Sequence, residues 1–216
     1  MPANNIIDRL QNGAIFEIPF LGEKGFGYIK LHKFYVTENG HEIMIPIFRV
    51  IDLFSETPIR KDINALENVD YTFVPLILLG IPKVRGKLGW KFKTNLSVKK
   101  IDEILPEFSF TMNVSALCGY NNLTINDVSW TKVTKLTMLG DSVIPTTFEQ
   151  IKGLGFYISS ASVMFNVRLT HFWNRKLKLG FDINKLLKDE GLEDFINMDM
   201  WNALIEIEAP MTPNLL

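Results

Sequence analysis

The chain has 216 residues, of which 47% are hydrophobic and 22% charged, enough apolar material for one large domain or two small ones. Its 23 Lys and Arg residues nearly balance its 24 Asp and Glu residues. The net charge of −1 therefore excludes a global field that would draw the protein to nucleic acid or an anionic membrane. A single cysteine, Cys118, excludes an internal disulfide and favours a reducing compartment.

No targeting or membrane signal is visible in the sequence. The first ten residues lack the basic stretch and long apolar run of a secretory signal. The longest apolar runs, such as residues 74–79, are too short to span a bilayer. We therefore expect a cytoplasmic protein that does not cross a membrane.

The clearest local signal is a β-hairpin near the N-terminus. Residues 13–20 and 25–31 alternate apolar and polar side chains through most of their length, and a Gly-Glu-Lys-Gly turn at residues 22–25 joins them. This pattern predicts a β-rich unit at the start of the chain.

Three further strands are predicted up to residue 93. Residues 43–51 form an apolar run after a turn with an Asn-Gly pair, and residues 71–79 and 88–92 are also strand-like. Pro46 indicates an edge strand or a bulge, because proline cannot donate a ladder hydrogen bond. These short strands predict a small curved sheet or an SH3-like, partly open barrel.

The middle of the chain mixes helix and strand signals. Ser97 is a suitable N-cap for a linker helix that Pro106 would end. Apolar and polar side chains alternate over residues 108–116, which predicts a half-buried strand. Residues 128–139 predict another strand, and residues 147–152 a short helix.

Residues 156–159 and 163–169 are predicted to form a second hairpin. Its inward side chains would be Val163, Phe165, Val167 and Leu169. Two helices are then expected, one over residues 183–190, capped by Asp182 and stopped at Gly191, and one over residues 193–205.

These elements predict an α+β protein. Residues 1–96 would form the β-rich, barrel-like domain, and residues 97–216 an α+β domain in which C-terminal helices follow a second antiparallel sheet. The two domains could also pack as one unit.

No group of residues indicates catalysis, a cofactor or a metal site. The glycine pairs at residues 25–27 and 153–155 lack the third glycine or Gly-Lys-Ser/Thr ending of a phosphate-binding loop. Histidines 32, 41 and 171 are far apart in sequence, and Cys118 ends an apolar strand, where cysteine behaves as a small hydrophobic residue. The carboxylate pairs at 189–190 and 193–194 are interpreted as solvated helix surfaces.

One charge pattern is unusual. Residues 83–100 contain seven basic side chains and no acidic one: Lys83, Arg85, Lys87, Lys91, Lys93, Lys99 and Lys100. Trp90, Lys91, Phe92 and Lys93 alternate aromatic and basic side chains, as some nucleic-acid-binding strands do. The alternation is equally that of a strand with both aromatic side chains on its core face and a solvated basic back.

The N-terminal hairpin resembles the immunity protein 26 family. The resemblance rests on the glycines and apolar residues of positions 13–19 and 25–29 and continues loosely through residues 51–54 and 73–75 to the Gly-Trp-Lys step at 89–91. It covers about residues 10–93 and does not explain residues 106–216.

The resemblance implies a bacterial protein that binds and occludes a cognate polymorphic toxin without catalysing a reaction. Inhibitors of nuclease toxins are often acidic, whereas this chain is nearly neutral. Accordingly, either the acidic segment over residues 189–208 does the blocking or the toxin is not a nuclease. The sequence does not identify the partner-binding residues or the oligomeric state.

Two other functions stay open on the residues alone. One is a nucleic-acid-binding module that uses Lys87, Trp90, Lys91 and Lys93 within residues 83–100. The other is an enzyme whose site assembles from residues distant in sequence. The immunity function is favoured over both, with a toxin protein rather than nucleic acid or membrane as the partner.

Overall fold

A computed structural model of the chain describes residues 6–38, 40–60, 63–72, 76–77, 87–103, 108–111, 129–135, 142–151, 155–156 and 162–192. The strands are β1 (Ala14–Pro19), β2 (Phe26–Glu38), β3 (His41–Ser55), β4 (Lys91–Asn95), β5 (Phe108–Thr111), β6 (Trp130–Lys135), β7 (Ser142–Thr146) and β8 (Gly155–Phe156). The helices are α1 (Ile6–Arg9), α2 (Phe148–Ile151), α3 (Ser162–Leu177) and α4 (Ile183–Asp189). Short 3-10 helices cover Leu21–Glu23, Ile63–Asn68 and Lys100–Glu103. The predicted α+β class is confirmed.

The N-terminal sheet has the strand order β3-β2-β1-β4, and its described strands form an open antiparallel sheet rather than a closed barrel. The predicted β1–β2 hairpin is confirmed, with Ile15 opposite Lys30 and Pro19 opposite Phe26. Gly25 in its turn has a φ of 142°, and a side chain there would also meet the Phe54 ring, so glycine is required.

A longer hairpin joins β2 to β3. Its pairing runs from Phe26 opposite Ser55 to Glu38 opposite His41, and Gly40 in the turn has a φ of 79°. β3 is the last strand in the sheet order, but backbone groups of Phe48, Val50 and Asp52 on its outer side also bond to residues 70–76. Within the predicted strand at residues 71–79, the structure describes two isolated bridges to β3, and residues 73–75 and 78–79 lie outside the described part.

Both faces of the N-terminal sheet are covered. The face we call the helix face packs against α3 and carries apolar side chains: Phe16, Ile18, Ile29, Leu31, Phe48 and Val50. The opposite face, the turn face, packs against the Ile63–Asn68 helix and its neighbours and mixes apolar with polar side chains: Ile15, Glu17, Tyr28, Lys30, His32, Arg49 and Ile51. All six residues of β1 are consequently buried.

The second sheet has the order β7-β6-β5-β8. The pairs β5–β6 and β6–β7 are antiparallel, as expected of the predicted second antiparallel sheet, although β7 itself is not predicted. β8 pairs with β5 in parallel over two residues, with Phe108 opposite Gly155. The predicted short helix is present as α2, and the Oε1 atom of Gln150 accepts a hydrogen bond from the Thr147 backbone N–H.

The predicted second hairpin at residues 156–169 is wrong, because residues 162–177 form helix α3. Of the predicted inward set, Phe165, Val167 and Leu169 are buried, while Val163 lies in the first turn of the helix. The helix is buried on both sides over residues 165–170, because Phe165 and Leu169 face the sheet while Val167 packs against α4. A helix that is buried on all sides lacks a polar face towards solvent, so its period of 3.6 residues is not visible in the sequence.

Within the linker helix predicted after Ser97, the structure describes the 3-10 helix Lys100–Glu103, and residues 104–107 lie outside the described part. The Ser97 hydroxyl donates to the Glu67 carboxylate. Asp182 does cap α4, since its side chain accepts a hydrogen bond from the Lys185 N–H. Gly191 follows with a φ of 66°. The helix predicted at 193–205, and Cys118, lie outside the described residues.

One hydrophobic cluster contains side chains from both predicted domains. Phe16 and Trp90 come from residues 1–96, and Trp130, Ile151 and Phe165 come from residues 97–216. The division at residue 96 stays a prediction. Within the described part of the chain, no helix combines the length and the apolar character needed to span a membrane.

Candidate functional site

A group of charged side chains is buried on the turn face of the N-terminal sheet. Lys30 and His32 lie two residues apart on β2, and Arg49 lies on β3 directly opposite Lys30. The three side chains share a face because strand side chains alternate and the two strands are in register. All three are less than a tenth exposed.

Asp102, from the 3-10 helix Lys100–Glu103, places its carboxylate among these basic groups. Its Oδ1 atom lies 3.2 Å from Arg49 Nε and 3.3 Å from His32 Nε2. Its Oδ2 atom lies 3.3 Å from Lys30 Nζ. The side chain of Asp102 is fully buried, so one carboxylate links two strands of the sheet to the turn that covers them.

Two more donors complete the surroundings of Asp102. The Tyr71 hydroxyl donates to Oδ2 at 3.0 Å, and the Lys99 backbone N–H donates to the same oxygen at 2.8 Å. The Tyr71 ring also lies 5.5 Å from the Arg49 guanidinium carbon and 5.2 Å from Lys99 Nζ. We call Lys30, His32, Arg49, Tyr71 and Asp102 the Asp102 cluster.

Burial governs the protonation of the cluster. It lowers the pKa of His32 to about 4, although the Asp102 carboxylate opposes this shift, so the imidazole is neutral at pH 7. Burial also lowers the pKa of Lys30 and of Arg49, again against the attraction of Asp102. The pKa of the Tyr71 hydroxyl is raised, first by burial and then by its hydrogen bond to Asp102.

The chemistry open to the Asp102 cluster is restricted by these contacts. A general base needs a lone pair directed at a substrate, and both oxygens of Asp102 already face donors or cations. The Lys30 ammonium also donates to the Ser97 carbonyl. The geometry is that of a charged cross-link inside the fold, which positions the turn at residues 97–103 on the sheet.

A second buried carboxylate lies on the same face. Glu17 accepts hydrogen bonds from the Tyr28 hydroxyl at 3.2 Å and from Lys93 Nζ at 3.1 Å. Burial, together with the nearby Glu17 charge, raises the pKa of Tyr28 to about 12. The Tyr28 oxygen accepts the Ile59 backbone N–H at 3.1 Å, so this pair also joins the sheet to a covering segment.

On the helix face, the polar contacts centre on Asn166 of α3. Its Oδ1 atom accepts a hydrogen bond from Trp90 Nε1 at 2.7 Å, and its Nδ2 atom donates to the carbonyls of Pro19 at 2.8 Å and Leu88 at 3.1 Å. One turn later, Thr170 Oγ1 accepts the Leu21 backbone N–H at 3.0 Å. The buried side of α3 is therefore bonded to two loops of the N-terminal sheet.

The structure separates the residues of the predicted basic and aromatic stretch. Trp90 is fully buried, whereas Phe92 is 49% exposed and its ring meets Phe16 edge-on at 6.0 Å. Both aromatic side chains face the helix side of the sheet, as the alternation predicts. Lys91 is exposed, and Lys93 is paired with Glu17.

The exposed part of this stretch forms one edge of the N-terminal sheet. β4 is the last strand in the sheet order and pairs with β1 on one side. Six residues between positions 87 and 100 are exposed: the Ser97 hydroxyl is bonded to Glu67, and the other five are Lys87, Lys91, Phe92, Asn95 and Lys100. We call these five residues the β4 rim. Lys83 and Arg85 lie outside the described residues.

The other sequence candidates lie far from one another. His32 belongs to the Asp102 cluster, His41 is exposed at the β2–β3 turn, and His171 lies in α3. Among the described residues, no three His, Cys, Asp or Glu side chains are grouped to hold a metal ion.

Gly27 has a packing role that differs from the phosphate-binding role considered for its motif. A Cβ atom at this position would lie 2.7 Å from a methyl carbon of Leu169 and 3.2 Å from the Phe20 ring. The missing side chain thus lets α3 approach β2 closely.

Asp102 is the functional candidate that the sequence does not reveal. Its position lies about 70 residues from Lys30, and nothing local distinguishes it from a solvated carboxylate. The available signal is the pair of basic side chains Lys30 and His32, which lie on one face of a mainly apolar strand.

Comparison of the chain with family models, with curated proteins and with solved structures found no match in any of the three.

Proposed function

We propose that this chain is an immunity protein that binds a cognate bacterial toxin domain and occludes it without catalysing a reaction. The observation that carries the proposal is the role of the motif glycines in the segment that resembles the immunity protein 26 family. A Cβ at Gly13 would lie 2.0 Å from the Leu96 carbonyl oxygen, and Gly25 and Gly27 are equally enclosed. The glycines of the motif therefore serve the fold, because they allow the β1–β2 hairpin to lie close to Leu96 and its other neighbours.

Two other segments of the resemblance, residues 51–54 and 89–91, pack around that hairpin, and residues 73–75 lie outside the described residues. Phe54 lies against Phe20, with ring centroids 5.7 Å apart, and Trp90 lies in the same cluster as Phe16. The matched segments that the structure describes therefore contact one another in the core. This contact supports a fold-level relation to the family.

The arrangement of charge also supports a binding role. The Asp102 and Glu17 carboxylates are buried and engaged with protein groups. Such contacts hold the sheet and its covering turns in one arrangement, and a preformed surface binds a partner at lower entropic cost. Occlusion of a toxin needs a surface of roughly 800 Å² on each partner and no catalytic group.

The proposal is tested by co-expressing the chain with the protein encoded by the adjoining reading frame and scoring growth. Rescue by the chain, together with a stoichiometric complex of the two purified proteins, is the expected result. Asp102→Asn, which we expect to weaken the fold, should reduce rescue, and the exposed neighbour change Glu103→Gln should not. Growth arrest that persists with the chain present, or a neighbouring product that is harmless alone, would count against immunity.

Burial of Trp90 counts against the nucleic-acid-binding alternative, since Trp90 is one of the four residues on which that alternative depends. Base stacking needs an accessible aromatic ring, and the Trp90 ring is fully buried. Phe92 and Lys91 are still exposed and could contact a strand. Binding of the chain to generic DNA or RNA that weakens steeply with salt would favour this alternative, and absence of binding at low salt would remove it.

A further inference from the structure

We propose that the β4 rim is the surface that docks the toxin domain, and that it fits an acidic patch on that domain. The inference rests on the proposed immunity function and adds to it the location of the interface and the chemistry of the partner. It is argued from the exposure, charge and anchoring of the rim residues.

Phe92 supplies the apolar centre of the β4 rim. Its side chain is 49% exposed although its ring also contacts Phe16. Aromatic side chains that are exposed in the free protein and held by a rigid neighbour are typical anchors of protein interfaces. Tyr35, Ile144 and Leu177 are exposed to a comparable degree, but none of them lies on an edge strand next to an exposed lysine.

The charged side chains of the β4 rim are all basic, and Lys91 lies on the turn face of β4 whereas Phe92 lies on its helix face. The sequence has no Asp or Glu between Lys83 and Lys100. Glu17 compensates Lys93, whereas Lys87, Lys91 and Lys100 present their ammonium groups at the surface with no ion pair to any described residue. Complementary charge guides association and selects the partner, so this surface favours an acidic one.

The rim is held in place from three directions. Lys93 is bonded to Glu17, Phe92 stands opposite Phe16 in the ladder, and the preceding Trp90 is bonded to Asn166. A docking surface fixed in this way loses little conformational entropy on binding. Among the described strands, β4 has a partner on one side only, and the outer backbone groups of such an edge strand can bond to an incoming chain.

The test measures the affinity of the purified toxin domain, encoded by the adjoining reading frame, for wild-type chain and for four variants. Lys91→Glu and Phe92→Ala alter the rim. Lys185→Glu and Leu177→Ala are matched controls on α4 and at the end of α3, where the leucine is 44% exposed. We expect each rim change to weaken binding by about thirtyfold or more, and each control to change it by less than about threefold. Added salt should weaken wild-type binding and should affect Lys91→Glu less.

The outcomes separate the two proposals. If the wild type rescues growth and binds, but both rim variants bind equally well, the interface lies elsewhere and the immunity function stands. If the wild type neither rescues nor binds, the immunity function fails and the rim proposal fails with it. Binding of a single-stranded DNA oligonucleotide that both rim variants lose, without binding of the toxin domain, would reassign the rim to nucleic acid. Unchanged circular dichroism and urea midpoints verify that the variants fold.

Discussion

Trp90 Nε1 donates a 2.7 Å hydrogen bond to Asn166 Oδ1, and the two residues are 76 positions apart in the chain. Both side chains are fully buried. The same amide donates to the carbonyls of Pro19, at the end of β1, and of Leu88, so one side chain of α3 satisfies three groups of the N-terminal part of the fold. The contact between helix and sheet therefore depends on polar bonds as well as on apolar packing.

Asn166→Leu should destabilise the protein by about 3 kcal/mol, because it leaves the Trp90 N–H and two carbonyls buried without their partner. Urea denaturation followed by circular dichroism measures the change. Asn184→Leu, at an exposed position of α4, is the control and should change the free energy of unfolding by less than about 1 kcal/mol. Equal stability of the two variants would mean that water replaces the Asn166 amide.

Asp102→Asn should lower the free energy of unfolding by about 3–5 kcal/mol, because it removes the only carboxylate that contacts Lys30 and Arg49 among the described residues. Glu103→Gln removes a charge at the next position, where the side chain is exposed, and should have little effect. Both variants are compared with the wild type by urea denaturation at pH 7. A loss that is the same for both would show that the effect comes from overall charge.

Stability should fall as the pH is lowered from 6.5 towards 4, and His32 should account for part of the fall. Burial holds the pKa of His32 near 4 in the folded protein, below its ordinary 6.5, so only the unfolded chain takes up the proton in this window. Above pH 6.5, His32 is neutral in both the folded and the unfolded state, so its titration costs no stability. Once the pH is below both its unfolded pKa of 6.5 and its folded pKa of about 4, the free energy of unfolding has fallen by about 3 kcal/mol.

The pH dependence is measured by urea denaturation of wild type and His32→Gln between pH 4 and 7.5. The glutamine cannot take up a proton, so the free energy of unfolding of the variant should fall less steeply with decreasing pH. His41→Gln replaces an exposed histidine and should leave the wild-type slope unchanged. A slope for His32→Gln as steep as that of the wild type would contradict the assignment.

Gly27→Ala should destabilise the protein by about 1–3 kcal/mol, because the added methyl group would overlap Leu169. In a Leu169→Ala background the same substitution should cost less, by about 1 kcal/mol or more. A double-mutant cycle measured by urea denaturation gives this coupling energy. Additive effects would show that Gly27 is required for backbone conformation and not for the approach of α3.

The elements that the sequence predicts correctly are those coded by neighbouring residues. The β1–β2 hairpin follows from its alternation and glycine turn, and the start of α4 from Asp182. Each depends on sterics or hydrogen bonds within a few positions of the chain, and such signals survive in any tertiary context.

Helix α3 shows where local patterns fail. Residues 165–170 are all buried, so apolar and polar side chains no longer report which face meets solvent. Phe165, Val167 and Leu169 alternate along the chain like a strand, but α3 buries them on different sides, against the sheet and against α4. The predicted strand period of two residues is wrong here, because a helix that is buried on both sides has no polar face from which its period of 3.6 residues could be recognised.

The sequence by itself determined the α+β class, the N-terminal hairpin with its glycine turn, and the basic character of residues 83–100. Only the tertiary structure decided which of those charges are buried and which reach the surface. Lys30 and Arg49 look solvated in sequence, yet they are buried because Asp102 arrives from a distant turn to offset their charge. Trp90 and Phe92 share one face, yet only Trp90 is covered, because α3 with Asn166 packs over it. A charge or a ring can be buried only when a partner covers it, and that partner comes from a remote part of the chain.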